Sequence, residues 1–208
     1  LEQVFLRLGE LISRTDAMDH HFALSTMFDG MDVAARADLK SDILKDIEKQ
    51  KTVLAGYRGN PSISEAALDN IVAQLERCFQ ALNTQTGKAG QALTDNDWLM
   101  AIRSRAWQHN PPEQRQQALG GWASSLEPLA EAIYLLLKLL RDSGTPQKIA
   151  AKDGHFQQNL PSGRTFQLLR LRIDPALGLI PEISGNRLMV SVRLMRQLKN
   201  GHLQASSE

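Results

Sequence analysis

The side chains best placed to do chemistry are the arginines interleaved with aliphatic residues across 165–194. In Thr165-Phe166-Gln167-Leu168-Leu169-Arg170-Leu171-Arg172-Ile173-Asp174, strand-like alternation puts Leu169, Leu171 and Ile173 on one face and Arg170 and Arg172 on the other. A linker, Leu177-Gly178-Leu179-Ile180-Pro181-Glu182-Ile183-Ser184-Gly185-Asn186, leads to a second such segment. There Leu188, Val190, Val192 and Leu194 share a face, while Arg187 and Arg193 point away. A guanidinium is planar, permanently charged and able to pair a carboxylate or phosphate through two parallel hydrogen bonds. A sheet with its aliphatic side buried would therefore read anions on its other side. The same spacing also describes an ordinary half-buried strand pair with a solvated polar face. Spacing alone leaves both readings open.

Other chemistry is thinly represented. Asp19-His20-His21 invites a metal reading, but adjacent helical residues do not face one point, and no further His or Cys stands at ligand spacing. A solvated or cap-adjacent pair is the simpler expectation. His109, His155 and His202 are isolated, and Gly87-Lys88 lacks the upstream Gly and downstream Ser/Thr of a phosphate-binding loop. Carboxylates between Asp29 and Glu48 alternate with Lys and Arg at helical spacing, which predicts an ion-paired surface. The single cysteine, Cys78, excludes an internal disulfide framework and suits a reducing cytoplasm as a small half-buried core residue. With no nucleophile–base constellation, the sequence predicts neither enzyme activity nor a cofactor or metal.

The elements that must position these residues follow from periodicity and composition. A chain of 208 residues, 42% hydrophobic and 23% charged, can bury a substantial core. It starts mid-helix without Met and without a signal-peptide pattern. Its longest apolar run, Leu129 to Leu140, is broken by Glu131 and Lys138 and is too short to span a bilayer. Phe5, Leu8, Leu11 and Ile12 recur at helical spacing, as do Leu39, Ile43 and Ile47 in a segment ending near Gly56. After the Gly59-Asn60-Pro61 turn, Ser62 and Glu65 form a capping-box signature for a helix to about Leu82. Thr94 and Asp97 make a weaker start signal, and Pro111-Pro112 opens a helix containing Trp122. Leu126-Glu127-Pro128 then restarts the chain into a helix over 129–141, apolar nearly all round and so central or at a subunit contact. From Phe156 onward the pattern is strand and turn, with 199–208 polar and frayed.

This predicts an α+β fold: a mainly α-helical domain over 1–145 and a smaller antiparallel β domain over 146–208. Charge divides along the same line. Residues 1–145 hold 15 Lys+Arg against 19 Asp+Glu, a balance of −4, and residues 146–208 hold 9 against 4, a balance of +5. An acidic partner for the C-terminal part follows. The alternative is a nucleic-acid-binding module on the same Arg face. It is disfavoured by the mild charge and by aromatics at only 5% for base stacking.

Several segments together resemble the ZapD family of bacterial cell-division proteins. They are Phe5-Leu6-Arg7-Leu8, then Arg36-Ala37-Asp38-Leu39-Lys40 leading into Leu44-Lys45-Asp46-Ile47-Glu48-Lys49-Gln50, and Trp98-Leu99-Met100-Ala101-Ile102-Arg103-Ser104-Arg105. Later come Leu139-Leu140-Arg141-Asp142-Ser143-Gly144, Gln167-Leu168-Leu169-Arg170-Leu171-Arg172 and Ile180-Pro181-Glu182-Ile183-Ser184-Gly185-Asn186-Arg187. The resemblance spans nearly the whole chain. Two departures stand out: Gly9-Glu10 follows the Leu-Arg-Leu motif where the family usually has Glu, and a family segment is absent between Ala106 and Trp107. The β domain is thus expected to be completed by a strand before Leu1 and by a loop between those two residues.

The resemblance implies a cytoplasmic homodimer at the division site that binds the short acidic C-terminal tail of FtsZ and cross-links or bundles its filaments at the Z-ring. Neither membrane nor nucleic acid is implied. The family's basic positions fall on Arg7, Arg36, Arg187 and Arg193, to which strand alternation adds Arg170 and Arg172. Arg7, between apolar neighbours, has an alternative as an internal partner of Glu10 or Asp38, and Arg36 as a solvated residue at a helix start. On one strand face Arg187 and Arg193 would stand about 20 Å apart, reaching opposite ends of an extended peptide rather than one carboxylate.

Overall fold

The computed structural model describes residues 1–35, 39–102, 107, 109–163, 166–198 and 201–206. The chain is α+β, 56% helical, with its helices in the N-terminal part and a small antiparallel sheet at the C-terminus, as its periodicity predicts. It divides into two compact units, Leu1–Leu139 and Leu140–Glu208.

The helices are α1 (Glu2–Ser13), α2 (Ala17–Ala34), α3 (Leu39–Ala55), α4 (Glu65–Thr84), α5 (Gln91–Thr94), α6 (Asp97–Ile102), α7 (Pro112–Ser124) and α8 (Glu127–Asp142). Their starts are set by side chains that accept the orphan N–H groups of a first turn. Asp16 Oδ1 accepts from Met18 N at 2.7 Å, and Ser64 Oγ from Ala67 N at 3.3 Å. The cap of α4 thus falls on Ser64 rather than Ser62, while Glu65 reaches back to Gly59 N at 2.7 Å. The start of α6 likewise belongs to Asn96, whose Oδ1 accepts from Leu99 N, and not to Thr94. Pro112 opens α7, where its missing N–H costs nothing.

Two apolar clusters hold the helical unit. One joins Leu8 of α1, Leu24, Met27 and Phe28 of α2, Leu99 and Ile102 of α6, and Leu119 and Trp122 of α7. Trp107 is buried in it, with its ring 6.0 Å from that of Trp122. The other joins Ile43 and Ile47 of α3, Leu75, Cys78 and Leu82 of α4, and Leu129, Ala132, Leu135 and Leu136 of α8, with Phe5 packed against both. Cys78 is more deeply enclosed than its half-buried expectation. On α8 the buried stripe is Leu129, Ala132, Leu135 and Leu136, whereas Tyr134 is exposed. The expected discontinuity between Ala106 and Trp107 has its Ala106 side outside the described residues, as do Asp38 and Arg36.

The C-terminal unit is built on β1 (His155–Asn159), β2 (Leu179–Gly185), β3 (Met189–Gln197) and β4 (Leu203–Ala205). All pairings are antiparallel, with β3 between β1 and β2 and with β4 pairing the end of β3. A tight hairpin joins β2 to β3: Asn186 Oδ1 accepts from Leu188 N and Met189 N. Register sets Phe156 and Ile183 on either side of Val192, the buried centre of the sheet. Two expectations fail here. The end of the chain is not frayed throughout, because β4 pairs with β3 and Ser206 is buried. Nor do residues 166–174 form a strand; they carry no regular structure and end in a 3-10 turn, Pro175–Leu177, capped by Asp174. Alternation shows that a segment fits a strand, but a strand exists only where a neighbour supplies its ladder.

Candidate functional site

Within the C-terminal unit, alternation along β3 sorts side chains onto two faces. One face carries Phe156 and Gln158 of β1 with Val190, Val192 and Leu194 of β3; the other carries His155, Ser191 and Arg193. A cavity of about 850 Å³ opens on the first face. Phe156, Gln158, Val192 and Leu194 line it from the sheet, and the irregular segments 143–151 and 166–174 wall it from outside.

All nine residues from Phe166 to Asp174 border this one cavity. The separation of Leu169, Leu171 and Ile173 from Arg170 and Arg172 onto opposite faces is therefore not realised, because the strand that would impose it does not form. Phe166, Leu168, Leu169 and Leu171 stay exposed, between 39% and 54%. The cationic residues on the wall are Arg141, Lys148, Arg170 and Arg172, against Asp174 as the carboxylate among the described lining residues. Asp174 is occupied by its own turn, accepting from Ala176 N at 2.9 Å. Arg170 is braced: one guanidinium nitrogen donates to the Arg141 carbonyl at 2.7 Å. Neither Arg170 nor Arg172 meets a carboxylate among the described residues.

Arg193 stands on the opposite face of the sheet, directly across from Glu182, with 3.9 Å between the charged atoms and both side chains well exposed. Arg187 precedes β3 and sits in the hairpin turn, so the shared strand face expected for Arg187 and Arg193 is absent. In the helical unit, Arg7 is exposed on α1 and faces Asp29 of α2 at 3.8 Å rather than Glu10, and Asp38, the other expected partner, lies outside the described residues. Glu10 is taken by Arg14 at 3.0 Å. Arg36 lies outside the described residues. The structure thus brings Arg170 and Arg172 together and leaves Arg187 and Arg193 elsewhere on the same unit.

One polar cluster escaped the sequence reading. His20 is fully buried rather than solvated, and Arg115 of α7 is buried beside it. Arg115 Nε donates to His20 Nδ1 at 3.1 Å, so the ring proton resides on Nε2 and is donated to the Arg14 carbonyl at 2.6 Å. Arg115 also donates to the carbonyls of Thr15, at 2.9 Å, and Asn110. The cluster fixes the α1–α2 turn against α7 and uses the imidazole as a hydrogen-bond relay. His21 is exposed, edge-on to Phe22. Among the described residues no group of His, Cys, Asp and Glu is arranged to hold a metal ion. None of the helices described is long and apolar enough to cross a membrane.

These features define an α+β protein whose accessible functional groups are arginines and apolar side chains on a small sheet unit, joined to a helical unit with a net acidic charge. The family model for ZapD, described as a cell division protein, matches residues 1–193, and the chain belongs to that family. The chain is similar to a cell division protein ZapD of Ralstonia nicotianae, 44% identical over 214 residues covering 95% of this chain and 84% of that protein. It matches a cell division protein ZapD of Ralstonia pickettii with the same identity and coverage. Its role is accordingly in cell division.

Proposed function

We propose that this protein is a non-enzymatic adaptor that binds the acidic C-terminal tail of FtsZ and, as a cytoplasmic homodimer at mid-cell, cross-links FtsZ filaments in the Z-ring. The observation that carries the reading is the basic excess of the C-terminal unit, 10 Lys+Arg against 5 Asp+Glu over 140–208, with Arg170 and Arg172 exposed and without carboxylate partners among the described residues. Guanidinium groups not already paired within the chain are available to carboxylates from outside it. Arg187 and Arg193 extend the basic surface of the β domain (146–208), and Arg7 and Arg36 are further contacts from the helical domain (1–145).

Bundling then needs no motor and no chemistry. A dimer offers two tail sites, and a filament presents many tails, so the first engagement makes the second local and weak contacts add up to avidity. Sedimentation of FtsZ filaments with and without their C-terminal tails tests this: the full-length filaments pellet as bundles with the protein and the tail-less ones do not. Equal bundling of both would overturn the reading. Tight binding to generic DNA in a gel shift at physiological salt would favour the nucleic-acid alternative instead.

A further inference from the structure

His155 stands alone in the sequence but has charged neighbours in the fold. Antiparallel register places it directly opposite Arg193 of β3, and places Arg193 directly opposite Glu182 of β2. On its other side an isolated bridge pairs His155 with Lys152, where His155 N donates to the Lys152 carbonyl at 2.9 Å. Cross-strand partners share a face, with Cβ atoms about 4.5–5.5 Å apart. Lys152, His155, Arg193 and Glu182 therefore form one row of ionisable side chains on the sheet face away from the cavity, and all four are exposed.

The imidazole is held in a way that suits both of its charge states. His155 Nε2 lies 3.1 Å from Ser191 Oγ. A hydroxyl donates to the bare nitrogen of a neutral ring and accepts from the N–H of a charged one, so this contact survives protonation. Nδ1 has no hydrogen-bond partner among the described residues. Of the other charged groups nearby, Asp153 stands in the turn between Lys152 and His155, and Leu203–Ala205 of β4 carry no titratable side chain. A neutral ring leaves the row with two cations against one carboxylate, and a charged ring makes it three against one. Imidazole makes that change between about pH 5 and 8. A cation set between two others is unfavourable, and a carboxylate laid across Nδ1 and the Arg193 guanidinium removes that cost. Proton and carboxylate therefore favour each other's binding.

We propose that His155 is a proton-dependent carboxylate-binding residue, which joins Arg193 in a solvent-exposed clamp that tightens as pH falls. The proposal rests on the tail-binding reading, which already uses Arg193, and adds regulation to it: the grip of the sheet unit on an acidic peptide follows pH through one side chain.

The test uses the full chain and a synthetic FtsZ C-terminal tail peptide, acetylated and free of histidine, so that the peptide itself does not titrate between about pH 6 and 8. Affinity is read by fluorescence anisotropy at fixed low salt. The wild type is expected to bind about threefold more tightly at the acid end of that range, the size of one exposed ion pair. His155→Gln, which cannot take up the charge, is expected to hold the weaker affinity at both pH values. His155→Lys, which carries it throughout, is expected to hold the stronger. The position is exposed, so both variants keep a near-wild-type melting temperature. Equal wild-type binding at both pH values overturns the clamp and leaves tail binding standing. A pH dependence retained in either variant does the same. Absence of binding at both pH values overturns the tail reading, and the clamp with it.

Discussion

Arg115 and His20 show how one buried cation organises chain segments far apart in sequence. A guanidinium has five donors, and burial obliges them to find acceptors. Here they reach His20 Nδ1 and the carbonyls of Thr15 and Asn110, across separations of up to 100 residues. Replacement by Met would keep much of the volume but strand those acceptors in the interior. Arg115→Met is therefore expected to destabilise the helical unit by about 3 kcal/mol, read from urea unfolding followed by circular dichroism. A loss below about 1 kcal/mol would mean that water replaces the guanidinium. An exposed pair behaves differently. Gln80 and then Lys51 hydrogen-bond the Glu76 carboxylate and hold its pKa below the usual 4.5. A carboxylate depressed in the folded state stabilises it fully above its ordinary pKa, and that contribution is lost as pH falls through the folded value. Glu76→Gln should accordingly melt below wild type near neutral pH, with the difference shrinking as pH drops beneath 4.5. A gap that widens in acid would show the sign to be wrong.

At the scale of elements, what was legible in the sequence is what short-range spacing determines. The helices could be read because 3.6-residue periodicity is written within each one: Leu39, Ile43 and Ile47 on α3, or the apolar stripe of α8. The β3 strand was legible for the same reason at period two. Caps slipped by about two residues, from Ser62 to Ser64 and from Thr94 to Asn96, because neighbouring polar side chains compete to accept the same N–H groups. Residues 166–174 and β4 were misread in opposite directions, and pairing explains both. An alternating segment found no ladder among the described residues, while Leu203–Ala205, inside a stretch expected to fray, acquired one beside β3. The His20–Arg115 contact left no local trace at all. Docking of β4 depends on Gly154, whose φ of +68° is poorly tolerated by other residues. A Cβ there would lie 2.3 Å from the Ser206 carbonyl oxygen. Gly154→Ala should therefore displace β4 and cost at least about 1 kcal/mol, seen as lost hydrogen-exchange protection of the Ser206 amide, which donates to Leu194 O at 2.8 Å. Unchanged protection would mean that the backbone absorbs the methyl group elsewhere.

Across the whole molecule the charges are segregated rather than absent: a net of +1 conceals a C-terminal unit at +5 and a remainder at −4. Such a protein stays close to neutral overall while its C-terminal unit is basic enough to attract an acidic chain. Its attraction must then be salt-sensitive, because the cationic side chains are exposed and the Debye length falls from about 10 Å at 0.1 M to about 3 Å at 1 M. Under the proposed tail binding, affinity is expected to drop at least about tenfold over that range. Arg193 allows the electrostatic part to be isolated. It faces Glu182 across the ladder at 3.9 Å, an exposed pair worth at most about 1 kcal/mol to the fold. Arg193→Glu should therefore weaken tail binding at low salt with a near-wild-type melting temperature. Glu182→Gln, which removes the competing carboxylate, should strengthen binding, and both effects should vanish together at 1 M salt. Effects that survive high salt would place Arg193 in direct, desolvated contact with the tail, whereas a sharp fall in melting temperature would make it a structural residue of the sheet.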